Sequence, residues 1–184
     1  LTSLAFISNH NTITALNVSN NLIADLSPLS TCDVLTDLNV SSNLFTTLAP
    51  LSGSSRLETL DVSGNEISTL ADLQNLTGLS NLSVANTKIT TLQSLAGMTK
   101  LTTLDVSGTA VRDFTALTGL PLKNLYASDC ELTDLTSVVL LGSLEILDVS
   151  DNALTEIGAV ALMYQLNVLD ISNNYVTDFT PLLN

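Results

Sequence analysis

Along the chain, aliphatic residues return at a fixed spacing. In the stretch Leu57–Gly78 they fall at Leu57, Leu60, Val62, Ile67, Leu70, Leu73 and Leu76. With Leu57 as position 1, the same frame restarts at Ile13, Leu35, Leu79, Leu101, Leu122, Leu144 and Leu166. Each step is 22 residues except Leu101 to Leu122, which is 21. Position 4 is Leu in every copy, and position 6 reads Val18, Val40, Val62, Val84, Val106, Ala127, Val149 and Ile171. A period of this length marks a solenoid, in which each repeat buries its apolar face against its neighbours.

Within one repeat the periodicity changes. Thr59, Asp61 and Ser63 alternate with Leu60 and Val62, which predicts a strand. The Gly/Asn/Ser-rich segment that follows predicts a turn. The stretch Leu70–Leu76 predicts a single helical or 3₁₀ turn. Strands are expected at Thr36–Val40, Glu58–Val62, Ser80–Val84, Thr102–Val106, Lys123–Ala127, Glu145–Val149 and Asn167–Ile171. Position 9 carries Asn21, Asn43, Asn65, Asn152 and Asn174, interrupted by Thr87, Thr109 and Cys130. A buried amide can donate to and accept from neighbouring turns, so these asparagines form a structural ladder. It should be weakest from Thr87 to Cys130.

The frame L-x-x-L-x-L-x-x-N-x-L is that of the leucine-rich repeat. The convex part resembles the internalin type of bacterial surface protein, and is also similar to the leucine-rich-repeat regulatory subunit of a eukaryotic phosphatase. The shared motif, N-x-I-x-D-L-x-P-L, stands here as Asn21–Leu29 and again as Asn174–Leu182; Asn43–Leu51 lacks the Asp. The resemblance implies a leucine-rich-repeat solenoid of the α/β class: a right-handed, curved array of about eight 22-residue repeats. A parallel sheet would line its concave face, with short helical or 3₁₀ turns on the convex face. Residues 1–184 are expected to form one domain, with a partial repeat at 1–12 and full repeats starting at 13, 35, 57, 79, 101, 122, 144 and 166. Neither end shows a capping sequence, so a fragment of a longer protein is expected.

Charge narrows the partners. The chain carries 18 acidic and 5 basic residues, a net charge of −13. Arg56, Lys88, Lys100, Arg112 and Lys123 are scattered, so nucleic acid and anionic membrane surfaces are poor partners. The apolar runs are too short for direct membrane insertion. Cys32 and Cys130 fall four to five repeats apart, about 20 Å at ~4.8 Å per strand, beyond disulfide reach. Both should be buried small hydrophobes.

No catalytic constellation emerges. His10 is the single histidine, so a multi-histidine zinc site and a Ser–His–Asp triad beyond it are not available. It takes position 20 and is expected to be a partly buried wall residue. Gly-rich phosphate loops are absent, and no cofactor is expected. Asp61, Asp105, Asp148 and Asp170 share position 5, with Asp129 and Asp151 nearby at position 8. The reading is a solvated acidic stripe that favours partners with a basic surface, with acid–base or cation chemistry as the alternative. Asn17, Asn39, Asn75 and Asn81 lie in N-x-S/T sequons that a chain this rich in Asn, Ser and Thr makes by chance.

The last three repeats differ from the first five in their side chains. Tyr126, Ile146, Val168 and Tyr175 join Asp148 and Asp170 as a candidate protein-binding surface, since apolar and aromatic groups beside acids mark interface hot spots. Ile146 and Val168 equally suit a strand. The reading is a non-catalytic protein-recognition module, secreted or on a cell surface, because Ser and Thr abound while Lys is scarce. The alternatives are an intracellular scaffold or phosphatase-regulator-like subunit, and a structural spacer.

Overall fold

The computed structural model describes residues 1–8, 10 and 12–183. Eight strands form one parallel sheet in chain order: β1 (Ala15–Asn17), β2 (Asp37–Asn39), β3 (Thr59–Asp61), β4 (Asn81–Ser83), β5 (Thr103–Asp105), β6 (Asn124–Tyr126), β7 (Ile146–Asp148) and β8 (Val168–Asp170). The register follows the repeat, so Leu16, Leu38, Leu60, Leu82, Leu104, Leu125, Leu147 and Leu169 stand side by side. Each strand has three residues rather than the five expected. Its flanking residues still bond across the repeat, as Val62 N–H does to Ser83 at 3.0 Å and Glu58 N–H to Thr36 at 2.8 Å. They already bend into the turns, which shortens the regular part.

The return path is made of 3₁₀ turns such as Ala71–Leu73 and Gln93–Leu95. Many begin at position 13, whose side chain accepts the N–H two residues on. Asp25 does so for Ser27 at 2.8 Å, Asp113 for Thr115 at 2.9 Å and Asp178 for Thr180 at 2.9 Å; Thr69 does it for Ala71 with a hydroxyl at 3.2 Å. This gives the Asp of N-x-I-x-D-L-x-P-L its physical reason: it starts the turn. The 21-residue repeat loses its residue on this return path. After Thr115–Leu117, Thr118 is extended and Gly119 takes φ +84°, and the strands still pair Leu104 with Leu125.

Position 8 has one conformation throughout. Asn20, Ser42, Gly64, Asn86, Gly108, Asp129, Asp151 and Asn173 all have φ between 52° and 66°. Only Gly, Asn and Asp enter this region at low cost, which accounts for the composition of the column, Ser42 aside.

The core runs the length of the stack between sheet and 3₁₀ turns, with Phe45 and Phe114 its largest buried side chains. Cys32 and Cys130 are buried free thiols, and burial raises the pKa of both. Among the described residues, no buried side-chain nitrogen or oxygen lacks a partner. His10 departs from expectation: it is exposed, whereas its counterparts Leu76, Met98 and Leu141 are buried. A polar ring left in water there carries no desolvation cost. Phe179 and Leu182, in the last repeat, are 52% and 46% exposed.

Candidate functional site

The open face of the sheet carries positions 3 and 5 of each repeat as two adjacent columns. The register places Asn39, Asp61, Ser83, Asp105, Tyr126, Asp148 and Asp170 in one column. The other runs Asp37, Thr59, Asn81, Thr103, Asn124, Ile146, Val168. The fold therefore brings together five of the six candidate surface residues: Tyr126, Asp148 and Asp170 in line, with Ile146 and Val168 beside them. Ile146 is half-buried, and Val168 is 53% exposed at the edge strand. Tyr175 is not in either column. It follows the ladder position, 71% exposed, and its N–H bonds to Leu154 at 2.8 Å. Leu22 and Leu44 occupy the same position 10 near the other end, 59% and 52% exposed. The sequence reading did not single them out, although their shared place in the frame was visible.

The position-5 acids have local work. Asp148 Oδ1 accepts the Ser150 N–H at 2.9 Å and its hydroxyl at 2.7 Å. Asp61 does the same for Ser63 at 3.0 and 2.6 Å, and Asp170 for Ser172 at 2.9 and 2.6 Å. Asn39 makes the identical turn with Ser41 at 3.0 and 2.7 Å. The signal was legible as Asp/Asn-x-Ser at positions 5 and 7. In Asp170 the Ser172 hydroxyl, then the Ser172 N–H, holds the carboxyl below its ordinary pKa. Asp129 and Asp151 sit in the left-handed column, and Asp151 accepts from Asn173 at 2.8 Å.

Positive charge is largely neutralised within the chain. Lys88 pairs with Glu66, Arg112 with Glu131, and Lys123 with Glu145 at 2.7 Å. Positions 3, 5, 7 and 8 hold no Lys or Arg in any repeat. Two hollows adjoin on this face. One, of about 500 Å³, lies over β1–β3 against Ala15, Asn17, Asp37 and Asp61. The other, of about 260 Å³, reaches from Thr59 and Asp61 past Ser83 to Asp105 and Tyr126. Among the described residues no group of three or more His, Cys, Asp or Glu is placed to hold a metal ion. No helix there is long and apolar enough to cross a membrane.

The ladder runs behind the strands' carboxyl ends. Asn65 Nδ2 donates to Val40, Val62 and Ser63 at 3.1, 3.0 and 3.1 Å, and its Oδ1 accepts from Asn43 N–H at 3.2 Å. Asn43 and Asn152 are bonded in the same manner, Asn152 accepting from both Cys130 and Leu132. At the ends, Asn21 donates to Val18 and Ser19, and Asn174 accepts from Leu154 at 2.9 Å. Thr87 makes one such bond, to Val84 at 2.6 Å.

This parallel sheet backed by 3₁₀ turns, with an Asn ladder between, defines a leucine-rich-repeat solenoid. A family model described as leucine-rich repeats in two copies matches residues 55–97, and a single leucine-rich-repeat model matches 143–163. Those two segments carry leucine-rich repeats, and the fold of the chain is similar to that of the internalins. Internalin C2 from Listeria monocytogenes superposes with a TM-score of 0.90 at 24% identity, over 98% of this chain and 88% of that one. The functional domain of InlJ from the same organism gives 0.80 at 27% identity, over 97% and 38%. The Arabidopsis receptor kinase HAESA, crystallised with the peptide hormone IDA and the co-receptor SERK1, gives 0.78 at 21% identity, over 94% and 32%. The chain thus spans most of internalin C2 and well under half of the other two. No curated protein matches it by sequence.

Proposed function

We propose that this chain is a non-catalytic protein-recognition module that engages a partner with a basic surface through the concave face of its sheet. The observation that carries the reading is the Tyr126–Asp148–Asp170 column beside Ile146 and Val168. Aromatic and aliphatic side chains there stand next to carboxylates on a face without a cation. Such a combination supplies both desolvated anchors and long-range attraction. The internalin-like architecture supports a secreted or cell-surface adhesion role, since the internalins it resembles are bacterial surface proteins. HAESA, bound to a peptide hormone and a co-receptor, shows one protein of this fold used in recognition.

The test begins with a partner captured on the immobilised protein, then purified and titrated against variants. Tyr126→Ala is expected to weaken binding by ~2 kcal/mol or more. Ile146→Ala and Val168→Ala should weaken it less. Asn17→Ala and Asn39→Ala, in the first two repeats, should be nearly silent. Tyr164, 85% exposed and outside the sheet face, supplies the control. A partner lost on Tyr164→Ala and indifferent to Tyr126→Ala would place recognition on another surface.

A further inference from the structure

The position-5 column has a period of its own. From β3 to β7 its carboxylates stand on every second strand, Asp61 on β3, Asp105 on β5 and Asp148 on β7, and Asp170 follows directly on β8. Ser83 and Tyr126 fill the places between. Parallel strands lie ~4.8 Å apart, so successive carboxylates are ~9.6 Å apart. A polyproline II chain rises ~3.1 Å per residue with three residues per turn, so every third side chain returns to the same face after ~9.3 Å. The two spacings agree to within the reach of a flexible Arg or Lys side chain. A fully extended strand does not offer this match, because its third residue points to the opposite face.

The surroundings suit such an occupant. Ser83 leaves the hollow of about 260 Å³ open between Asp61 and Asp105, so a backbone can approach the sheet. Tyr126 borders that hollow between Asp105 and Asp148, where an aromatic face can receive a proline ring or a guanidinium. The carboxylates are held in place before anything binds. Asp61 and Asp148 are fixed by their Ser63 and Ser150 turns, and Asp105 accepts the Ser107 N–H at 3.0 Å. A second hydrogen bond ties Asp61 Oδ2 to Asn39 at 3.0 Å. Each carboxylate retains lone pairs for a cationic donor, since two oxygens offer about four sites. Prefixed acceptors reduce the ordering cost of association.

We propose that the concave column Asp61–Asp105–Asp148 receives a polyproline II segment of the partner bearing an arginine or lysine at every third residue. The inference rests on the recognition reading above and names the chemistry of its ligand. Three cations spaced in this way need seven residues, spanning ~19 Å, the distance from β3 to β7.

The probe is a fluorescent decapeptide, three Arg-Pro-Pro units closed by a fourth arginine. Its comparison has the same composition with the four arginines contiguous at one end. Anisotropy titrations at low salt should show the spaced peptide binding about tenfold tighter, because each guanidinium meets a carboxylate without crowding. Asp61→Asn and Asp105→Asn should each weaken the spaced peptide by roughly five- to tenfold. Both variants should keep their turns, as Asn39 does with Ser41, and circular dichroism checks that they fold. Asp33→Asn, off the sheet face, should change nothing. Equal affinity for the two peptides overturns the proposal, since generic attraction would then suffice. So does a spaced peptide indifferent to Asp61→Asn and Asp105→Asn. If neither peptide binds while a captured protein still depends on Tyr126, this inference falls and the recognition reading stands.

Discussion

At the residue scale, the ladder position separates side chains of similar size by the number of backbone groups they satisfy. Asn65 is buried and engages four backbone groups; Thr109 donates to Val106 at 2.6 Å and accepts Val111 N–H at 3.4 Å. Removing Asn65 strands several buried groups at once. Asn65→Ala is therefore expected to destabilise the fold by ~1–3 kcal/mol, and Thr109→Ala by less. The reverse change is informative too. Thr87→Asn supplies an acceptor towards Ile67 N–H, the place that Asn43 Oδ1 serves for Ile23 at 2.9 Å. It should raise stability by up to ~1 kcal/mol. Urea unfolding of the three variants decides the matter: equal losses for Asn65→Ala and Thr109→Ala would show that amide bonding is not what holds this position.

At the scale of the element, each repeat is a strand, a left-handed turn and a 3₁₀ return, and carboxylates start several of the returns. Ser27 holds the Asp25 carboxyl below its ordinary value of 3.8, through its N–H first and its hydroxyl second. Thr115 and Thr180 act likewise on Asp113 and Asp178, and the Thr136 hydroxyl leads for Asp134. These pKa values are lower in the folded chain than in the unfolded one. Their stabilisation is complete above the unfolded value and is lost as pH falls through it towards the folded values. The Asn variant of all four positions can keep the turn, as Asn39 does on the other face, but cannot titrate. Melting temperatures should agree near neutral pH and diverge below about pH 4, with the wild type falling more steeply. Matching acid limbs would mean that other carboxylates govern acid unfolding. These elements also show what a sequence can disclose. Strand register was legible because Leu at position 4 recurs without exception, and the 3₁₀ return because Leu70, Leu73 and Leu76 recur every third residue. Asp129 and Asp151 belong by sequence to a solvated acidic stripe; their backbone also demands a residue that tolerates φ near 53–55°. That demand depends on turn geometry, which hydrophobic periodicity does not encode. The frame gives His10 a partly buried place in the wall, and the structure has it exposed.

At the scale of the whole molecule, the array concentrates negative charge on a surface with few answering cations. The net charge is −13, and three of the five basic side chains are paired with glutamates from adjacent repeats. Asp148 and Asp170 are neighbours on β7 and β8, next to Tyr126, so the field is strong where the aromatic anchor sits. Exposed charges of this kind act at distance and are screened over about 10 Å at 0.1 M salt. They should therefore govern how fast a basic partner arrives more than how slowly it leaves. Asp170→Asn is a suitable probe, because Asp170 stands outside the Asp61–Asp105–Asp148 column and an amide preserves the bond to Ser172 while removing only the charge. It should slow association roughly two- to fivefold at low salt, with the deficit shrinking as salt rises, and should leave dissociation nearly unchanged. Stopped-flow or surface-based kinetics across a salt series makes the distinction. If the loss lies in dissociation and persists at high salt, the Asp170 carboxylate touches the partner directly. The recognition surface would then extend to the edge strand rather than centre on Tyr126.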